Sequence, residues 1–489
     1  MFRNQTWKTT NGVTPMTKQA GRWLTGLGLL VCAAQLAPAA ETNGIVRWGG
    51  DFRIREEHFN YIPIKADPPG VTRSGENDYY RIRPRLWMEV EPNEDLMLRV
   101  RLADGFRVWF KPTPKPALQR SNYDFPDEIL FDNLFLDINN LAGKRLDLRI
   151  GRQELSYGNG RVILDGSAKD GSRTLYLNAI KATWKDIPNT TIDFLAIYDP
   201  SIDPIAINSS ERDLTGFTSA NDDMNESGGG FYLKNHSIQD MPVELYGLYK
   251  RESPYDVAAK KDAAGNYLAP KLAWQTLDST RGMVVNPALD LGTFGFRVEP
   301  HVGPRTTFNL EAALQVGQRS DIDVLAYMVD ASVTNTLPFC ESIKPAIFAD
   351  FYYISGDDPK TRRDEGWNPL WARWPQGSEL YIYAFDADGA GRWSNVMMPT
   401  LGAYCTPCSW LKTTVSGSYM NAPEADGPGG GHDRGWLGVF KGEFTLGHGL
   451  LTKHDVLRGH LWLEVLWPGN YYKEDDNSYF ARWQLMYEF

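Results

Sequence analysis

"SYFARWQLMYEF", residues 478–489, decides how this sequence folds. Ala481, Trp483, Leu485, Tyr487 and Phe489 alternate with Arg482, Gln484, Met486 and Glu488, the two-residue period of a strand with one apolar and one polar face. Termini usually fray in polar residues. A terminal segment built this way calls for a partner strand on each edge and an apolar medium against its greasy face.

The same alternation recurs upstream in segments roughly ten residues long, bounded by Gly, Pro, Asn or Asp. Trp48, Gly50, Phe52 and Ile54 share one parity; Arg47, Asp51, Arg53 and Arg55 share the other. Tyr80, Ile82, Leu86, Met88 and Val90 oppose Arg81, Arg83, Arg85, Glu89 and Glu91. Leu98, Val100 and Leu102 oppose Arg99 and Arg101, and in "RLDLRIG" Leu146, Leu148 and Ile150 oppose Arg145, Asp147 and Arg149. Connections alternate too. Short turns fall at 92–95, 139–144, 185–190, 235–242, 300–305 and 405–410; long segments lie at 57–78, 111–128, 154–172, 199–228, 251–288, 356–395, 421–434 and 467–478. Hairpins counted this way give about eighteen strands with both termini on the short-turn side, the even number that closure requires.

A sheet in hydrocarbon has no water for its edge groups, so it must close on itself. The fold predicted is all-β: a transmembrane antiparallel β-barrel whose last strand pairs with the first, with Trp483, Leu485, Tyr487 and Phe489 facing lipid. A soluble sandwich or propeller would also alternate, but it leaves the loop asymmetry and the aromatic terminus unexplained. Pro84 lacks a ladder donor and predicts a bulge. Segment 322–334 is apolar on both parities, so its register stays open. Gly228–Gly230 and Gly429–Gly431 lack the strand-to-helix setting of a phosphate loop and read as flexible loop.

The long apolar run lies near the start, where Lys18 and Arg22 precede "WLTGLGLLVCAAQLAPAA". Ala37 and Ala39 fit a small-x-small cleavage pattern, so residues 1–39 read as an export signal, with Met16 an alternative initiator, and 40–489 as one outer-membrane barrel. Val31 is large for lipoprotein processing at Cys32. Of 489 residues, 42% are hydrophobic and 12% aromatic, and the mean hydropathy of -0.40 argues against a helical membrane protein. The formal charge of -10 becomes more negative once Arg3, Lys8, Lys18 and Arg22 leave with the signal, which excludes nucleic acid as a partner on bulk charge. Cys340, Cys405 and Cys408 are too few for a disulfide scaffold.

If the apolar parity meets lipid, the other faces the lumen. That inward set holds Arg47, Arg53, Arg55, Arg81, Arg83, Arg85, Arg99, Arg101, Arg107, Arg145 and Arg149 against Asp51, Glu89, Glu91, Asp137 and Asp147. One wall of an acidic protein is therefore basic. Guanidiniums on adjacent strands lie within a Debye length of about 8 Å, so their fields add and draw anions. Their planar forks suit repeated carboxylates. The competing reading is an arginine–carboxylate ladder that only stiffens the wall.

"LRIGRQEL" (148–155), "YISGDDP" (353–359), "WNPLW" (367–371) and the closing "LEVLWPGNYYKEDDNSYFARWQLMYEF" together resemble the alginate export family of outer-membrane porins. The resemblance implies an eighteen-stranded barrel with an arginine-rich, anion-selective lumen that carries anionic polysaccharide. By position, Arg149, Arg152 and Gln153 match that family's arginine-glycine-arginine-glutamine stretch. Arg53, Arg55, Arg81, Arg83, Arg85, Arg99, Arg101, Arg145, Arg149, Arg152, Gln153 and Arg482 are the expected substrate pathway.

Other signals are weaker. Cys405-Thr-Pro-Cys408 lies in an expected periplasmic turn, where a local disulfide or plain thiols fit better than a redox dithiol. Nothing supplies further ligands for zinc, and no GxSxG elbow accompanies the scattered histidines. Asp357-Asp358 and Glu474-Asp475-Asp476 read as solvated outer-loop charge, with divalent cations bridging lipopolysaccharide as the alternative. The expectation is a passive, monomeric channel for an anionic polysaccharide or acidic sugars, in contact with outer-membrane lipid and periplasmic secretion partners, without cofactor, metal or catalysis. An adhesin and a lipid or glycan hydrolase are the alternatives.

Overall fold

The computed structural model describes residues 46–60, 76–111, 123–124, 129–164, 177–201, 205, 224–259, 265–268, 274–372, 377–380, 394–427, 429–473 and 475–489. The expected export segment, Met16 and Cys32 lie outside the described residues.

Eighteen antiparallel strands follow one another around a closed cylinder. They are β1 (Val46–Phe59), β2 (Asn77–Asn93), β3 (Leu96–Ala103 continued by Phe106–Lys111), β4 (Leu130–Asn140, preceded by Tyr123–Asp124), β5 (Leu146–Gln153) and β6 (Leu177–Trp184). β7 (Thr190–Asp199), β8 (Glu226–Asn235), β9 (Val243–Glu252), β10 (Leu289–Val298), β11 (Thr306–Arg319) and β12 (Ile322–Thr336) continue the ring. β13 (Ala346–Ile354), β14 (Val396–Cys408), β15 (Leu411–Asn421), β16 (Asp433–His448), β17 (Val456–Trp467) and β18 (Ser478–Glu488) complete it. Within the β9–β10 connection, Tyr255–Ala258, Thr276–Asp278 and Met283–Asn286 form a small separate sheet.

The seam closes as the terminal alternation requires. β1 pairs with β18 from Asp51 opposite Glu488 to Phe59 opposite Phe480, and Phe489 exchanges two 3.0 Å backbone hydrogen bonds with Gly50. Outward residues such as Leu86, Leu98, Ile150, Phe194, Leu245, Phe294 and Leu314 are exposed to the surroundings, the apolar band that lipid covers. Tyr198, Tyr249, Tyr327, Trp436, Trp467 and Tyr479 stand exposed near the long-loop end, where an aromatic girdle belongs.

The structure adjusts three sequence expectations and supplies one register that the sequence left open. The expected bulge at Pro84 does not form: the pairing resumes in step from Arg85–Ala103 to Ile82–Phe106, β3 breaks at Asp104–Gly105, and the Asp104 N–H donates to the Pro84 carbonyl at 3.2 Å. Proline cannot donate, so the neighbouring strand accommodates it. The register of 322–334 is set with Val324, Ala326, Met328 and Asp330 buried and Leu325 and Tyr327 exposed. Its connection to β11 is only Ser320–Asp321, so one outer connection is short where the others are long. Gly228–Gly230 is not loop but part of β8; a side chain on Gly228 would put its Cβ 2.8 Å from the Trp371 ring, so glycine there lets a lumenal aromatic lie against the strand. Gly429 and Gly431 do lie in a connection, and their N–H groups donate to the Tyr471 and Asn470 carbonyls.

Candidate functional site

On β18, β1, β2 and β3 the lumenal side chains form a layered arginine wall. Arg53, Arg55, Arg83 and Arg482 are at most 1% exposed. The Glu57 carboxylate on β1 accepts from Arg482 at 2.6 Å, Arg55 at 3.1 Å and Arg81 at 3.3 Å, so three guanidiniums share one anion. Arg55 also donates to Gln484 Oε1 from two nitrogens, at 3.0 and 2.5 Å. One layer nearer the periplasm, Asp51 accepts from Arg85 at 2.7 Å and Arg83 at 3.4 Å. Asp132 then takes Arg101 at 2.7 Å, with Arg85 at 3.7 Å, and Arg101 reaches Glu154 as well. Glu57, Asp51 and Asp132 each meet more than one arginine, and Arg85 and Arg101 each meet two carboxylates, so the wall is one continuous ionic network.

The remaining expected pathway residues are placed differently. Arg149 makes a bidentate pair with Asp137, both bonds 2.7 Å, and stacks on Phe135 at 4.1 Å. Arg152 is buried and donates to the Asn178 side chain and the Phe131 carbonyl at 3.0 Å; Gln153 is buried and donates to the Ala179 carbonyl. Gly151, at φ 126°, is the backbone kink at which Arg152 and Gln153 both turn inward. Arg99 pairs with Glu89 near the periplasmic rim and lies over Trp87. Arg145 does not join the lumenal cluster. It sits in the β4–β5 turn with its side chain 57% exposed, beside Asp186 at 3.1 Å. Arg47 is likewise rim-exposed, paired with Glu89 and Glu91.

Across the ring, strands β7 to β13 present a wall of another kind. Tyr157, Tyr232 and Tyr246 stack with centroids 4.3 and 5.3 Å apart. Their hydroxyls donate to Asp193, Glu244 and Glu311 respectively. Lys250 is buried between Glu226 and Glu252 at 3.0 and 2.9 Å, and Arg319 lies between Glu252 and Asp364. Carboxylates outnumber cations on this side.

Two connections on the outer side bend into the lumen. Residues 154–164, following β5, place Leu155, Tyr157, Val162 and Ile163 in the buried core, and Arg161 forks onto Asp330 at 2.9 and 3.2 Å. Residues 355–372, following β13, bury Trp367, Leu370 and Trp371. The two segments bond to each other: Trp371 N–H donates to Val162 O at 3.1 Å and Leu164 N–H to Trp371 O at 3.3 Å. The second is pinned to this acidic wall by Asn368 on Glu252 and Gln315 on the Asn368 carbonyl. Farther along the same connection, Ser378, Glu379 and Leu380 are bound on the opposite side, at Glu464 of β17. One connection therefore contacts both walls.

Periodicity did not reveal several of these partners. Glu57 shares the parity of Arg53 and Arg55, but the expected long segment 57–78 took it for loop, whereas β1 runs on to Phe59. Asp132 was not readable, because β4 carries a register shift opposite Arg101–Leu102 that turns both Asp132 and Asn133 inward. Glu154 and Glu379 lie in connections, where alternation says nothing. Cys405 and Cys408 are free thiols at the end of β14, and Cys405 Sγ lies 3.2 Å from Thr413 Oγ1. No group of three or more His, Cys, Asp or Glu residues placed to hold a metal occurs among the described residues.

The model of the alginate export family matches residues 46–427. The chain belongs to that family. No curated protein matches it in sequence. Among solved structures, Pseudomonas aeruginosa OpdO is similar at TM-score 0.52 and 11% identity, over 90% of this chain and 97% of that one. The outer membrane protein OpdK of the same organism is similar at TM-score 0.51 and 10% identity, over 91% and 98%. OpdK solved with vanillate gives 0.50 and 10%, over 90% and 98%. At such identity these likenesses establish the fold alone. Family and fold together make this member of the alginate export family an outer-membrane channel, not an enzyme.

Proposed function

We propose that this channel passes solutes carrying sugar carboxylates, an alginate-like polyuronate or its acidic-sugar units, passively and with preference for anions. The observation that carries the reading is the sharing of Glu57, Asp51 and Asp132 by more than one arginine each. A ladder that served only to stiffen the wall would match charges one to one. Here Arg53, Arg55, Arg81, Arg83, Arg85, Arg101 and Arg482 gather on one side of the lumen, where fields add in a low-dielectric wall. A carboxylate descending along β18, β1 and β2 meets successive planar forks and exchanges between them without being held at one. The monomeric barrel is taken as the working unit, with outer-membrane lipid outside and a periplasmic secretion apparatus or pool of acidic sugar at the short-turn end. The test is the reversal potential of the purified protein in a planar bilayer under a salt gradient. Anion preference is expected; cation preference overturns the reading.

A further inference from the structure

The arginine wall does not face open lumen at every level. Arg482 Nη2 is 2.6 Å from Glu57 Oε1 and also 2.7 Å from Glu379 Oε1. Glu57 belongs to the wall, but Glu379 comes from the connection after β13. Its approach is built by a second buried carboxylate. Glu464, which neighbours Arg482 across the β17–β18 ladder, accepts the Glu379 N–H at 2.6 Å, the Leu380 N–H at 2.9 Å and the Ser378 hydroxyl at 2.6 Å. Two backbone donors and a hydroxyl converging on one carboxylate fix the backbone at residue 379 and aim its side chain at Arg482. Glu379, Glu464 and Arg482 are all at most 4% exposed.

We propose that the position of the Glu379 carboxylate is a binding subsite for the carboxylate of an acidic sugar, and that Glu379 is its built-in competitor. The inference rests on the anion-conducting reading above and adds to it a defined station. Glu379, carried by a connection and not by the wall, presents a carboxylate to Arg482 in the geometry a solute would need. A solute bound there donates nothing covalent; its carboxylate accepts from Arg482 in place of Glu379. Tethered competition of this kind keeps the solute's residence short, as a conducting site requires.

The experiment is concentration-dependent reduction of the ionic current through single channels in a planar bilayer, with galacturonate as probe and galactose as neutral control. In Glu379→Gln, half-maximal reduction by galacturonate is expected at a concentration about tenfold lower than in the parent, the scale of one charge-assisted hydrogen bond. Galactose should act equally on both. Arg482→Gln should raise the galacturonate concentration needed, and the double variant should behave as Arg482→Gln does. Glu379→Asp, which keeps the charge and shortens the reach, reports on a folded channel and should fall between parent and Glu379→Gln. Unchanged or weaker galacturonate action in Glu379→Gln, in channels whose reversal potential still shows anion preference, overturns the subsite while leaving the conduction reading intact. Cation preference in the parent overturns both.

Discussion

Glu57 on the first strand and Arg482 on the last face each other across the seam, their side chains 2.6 Å apart and at most 1% exposed. The ladder that closes the cylinder thus also sets the charge of its wall. Removing one member of a buried ion pair leaves the other uncompensated, which typically costs about 3–5 kcal/mol. Glu57 has Arg55, Arg81 and Arg482 around it, so Glu57→Ala should lie at the upper end of that range, and Glu57→Gln, which keeps an acceptor oxygen, nearer the lower end. Urea unfolding of the barrel in detergent or lipid gives the measurement. A loss under about 1 kcal/mol for both variants would mean that the cluster is solvated like a surface pair.

Selectivity should follow where the arginines stand in the lumen rather than their number. Exchange of Arg81, Arg83, Arg99 and Arg101 for glutamate turns a basic wall acidic and should invert ion preference in a planar bilayer. Exchange of Arg145 alone should leave it unchanged, because that guanidinium stands in a turn beside Asp186. Equal effects of both changes would contradict a lumenal origin of the preference.

Most of the barrel was legible in the sequence because lipid enforces a strict two-residue period and hydrogen-bonded closure. The parity of Arg53, Arg55, Arg81, Arg83 and Arg482 follows directly from their apolar neighbours. Legibility ended wherever the period slipped or lapsed. Gly151 and the shifted register at Asp132 move residues inward that simple alternation sends elsewhere. The inward course of 154–164 and 355–372 depends on contacts between residues distant in sequence, such as Val162 with Trp371, and no local pattern encodes them.

Residues 355–366 should respond to pH through Asp357. Burial pushes this carboxyl up to about 6; the Glu365 N–H, donating to it at 3.1 Å, opposes the shift, while the nearby Asp364, Glu365 and Asp426 carboxylates add to it. A carboxyl with a raised folded-state value binds more protons folded than unfolded, so the segment loses stability as pH rises from the ordinary carboxyl range through about 6. Hydrogen exchange of the Glu365 amide, corrected for intrinsic rate, should be more protected at pH 5 than at pH 7.5, conditions chosen about one unit or more either side. Asp357→Asn keeps the acceptor without the charge and should abolish the difference. A difference that persists in the variant would assign it to another group.

The width of the passage should depend on Arg161. Its guanidinium forks onto Asp330 and lies 4.0 Å from the Tyr352 ring, tying residues 154–164 to β12 and β13 from inside. Asp330 also accepts from Asn159 at 3.0 Å, so the charge pair and a neutral hydrogen bond hold the same stretch. In the double variant Arg161→Gln with Asp330→Asn, no buried charge from this pair is left alone, and the barrel should keep its stability to within about 1 kcal/mol. The tie itself is weakened to neutral hydrogen bonds, so the segment should sample positions away from the wall. Single-channel recordings should then show larger and noisier conductance than the parent, with anion preference retained because the arginines of β18, β1 and β2 are untouched. Unaltered conductance would show that Val162–Trp371 pairing and the tyrosine stack hold the segment without its ionic contact.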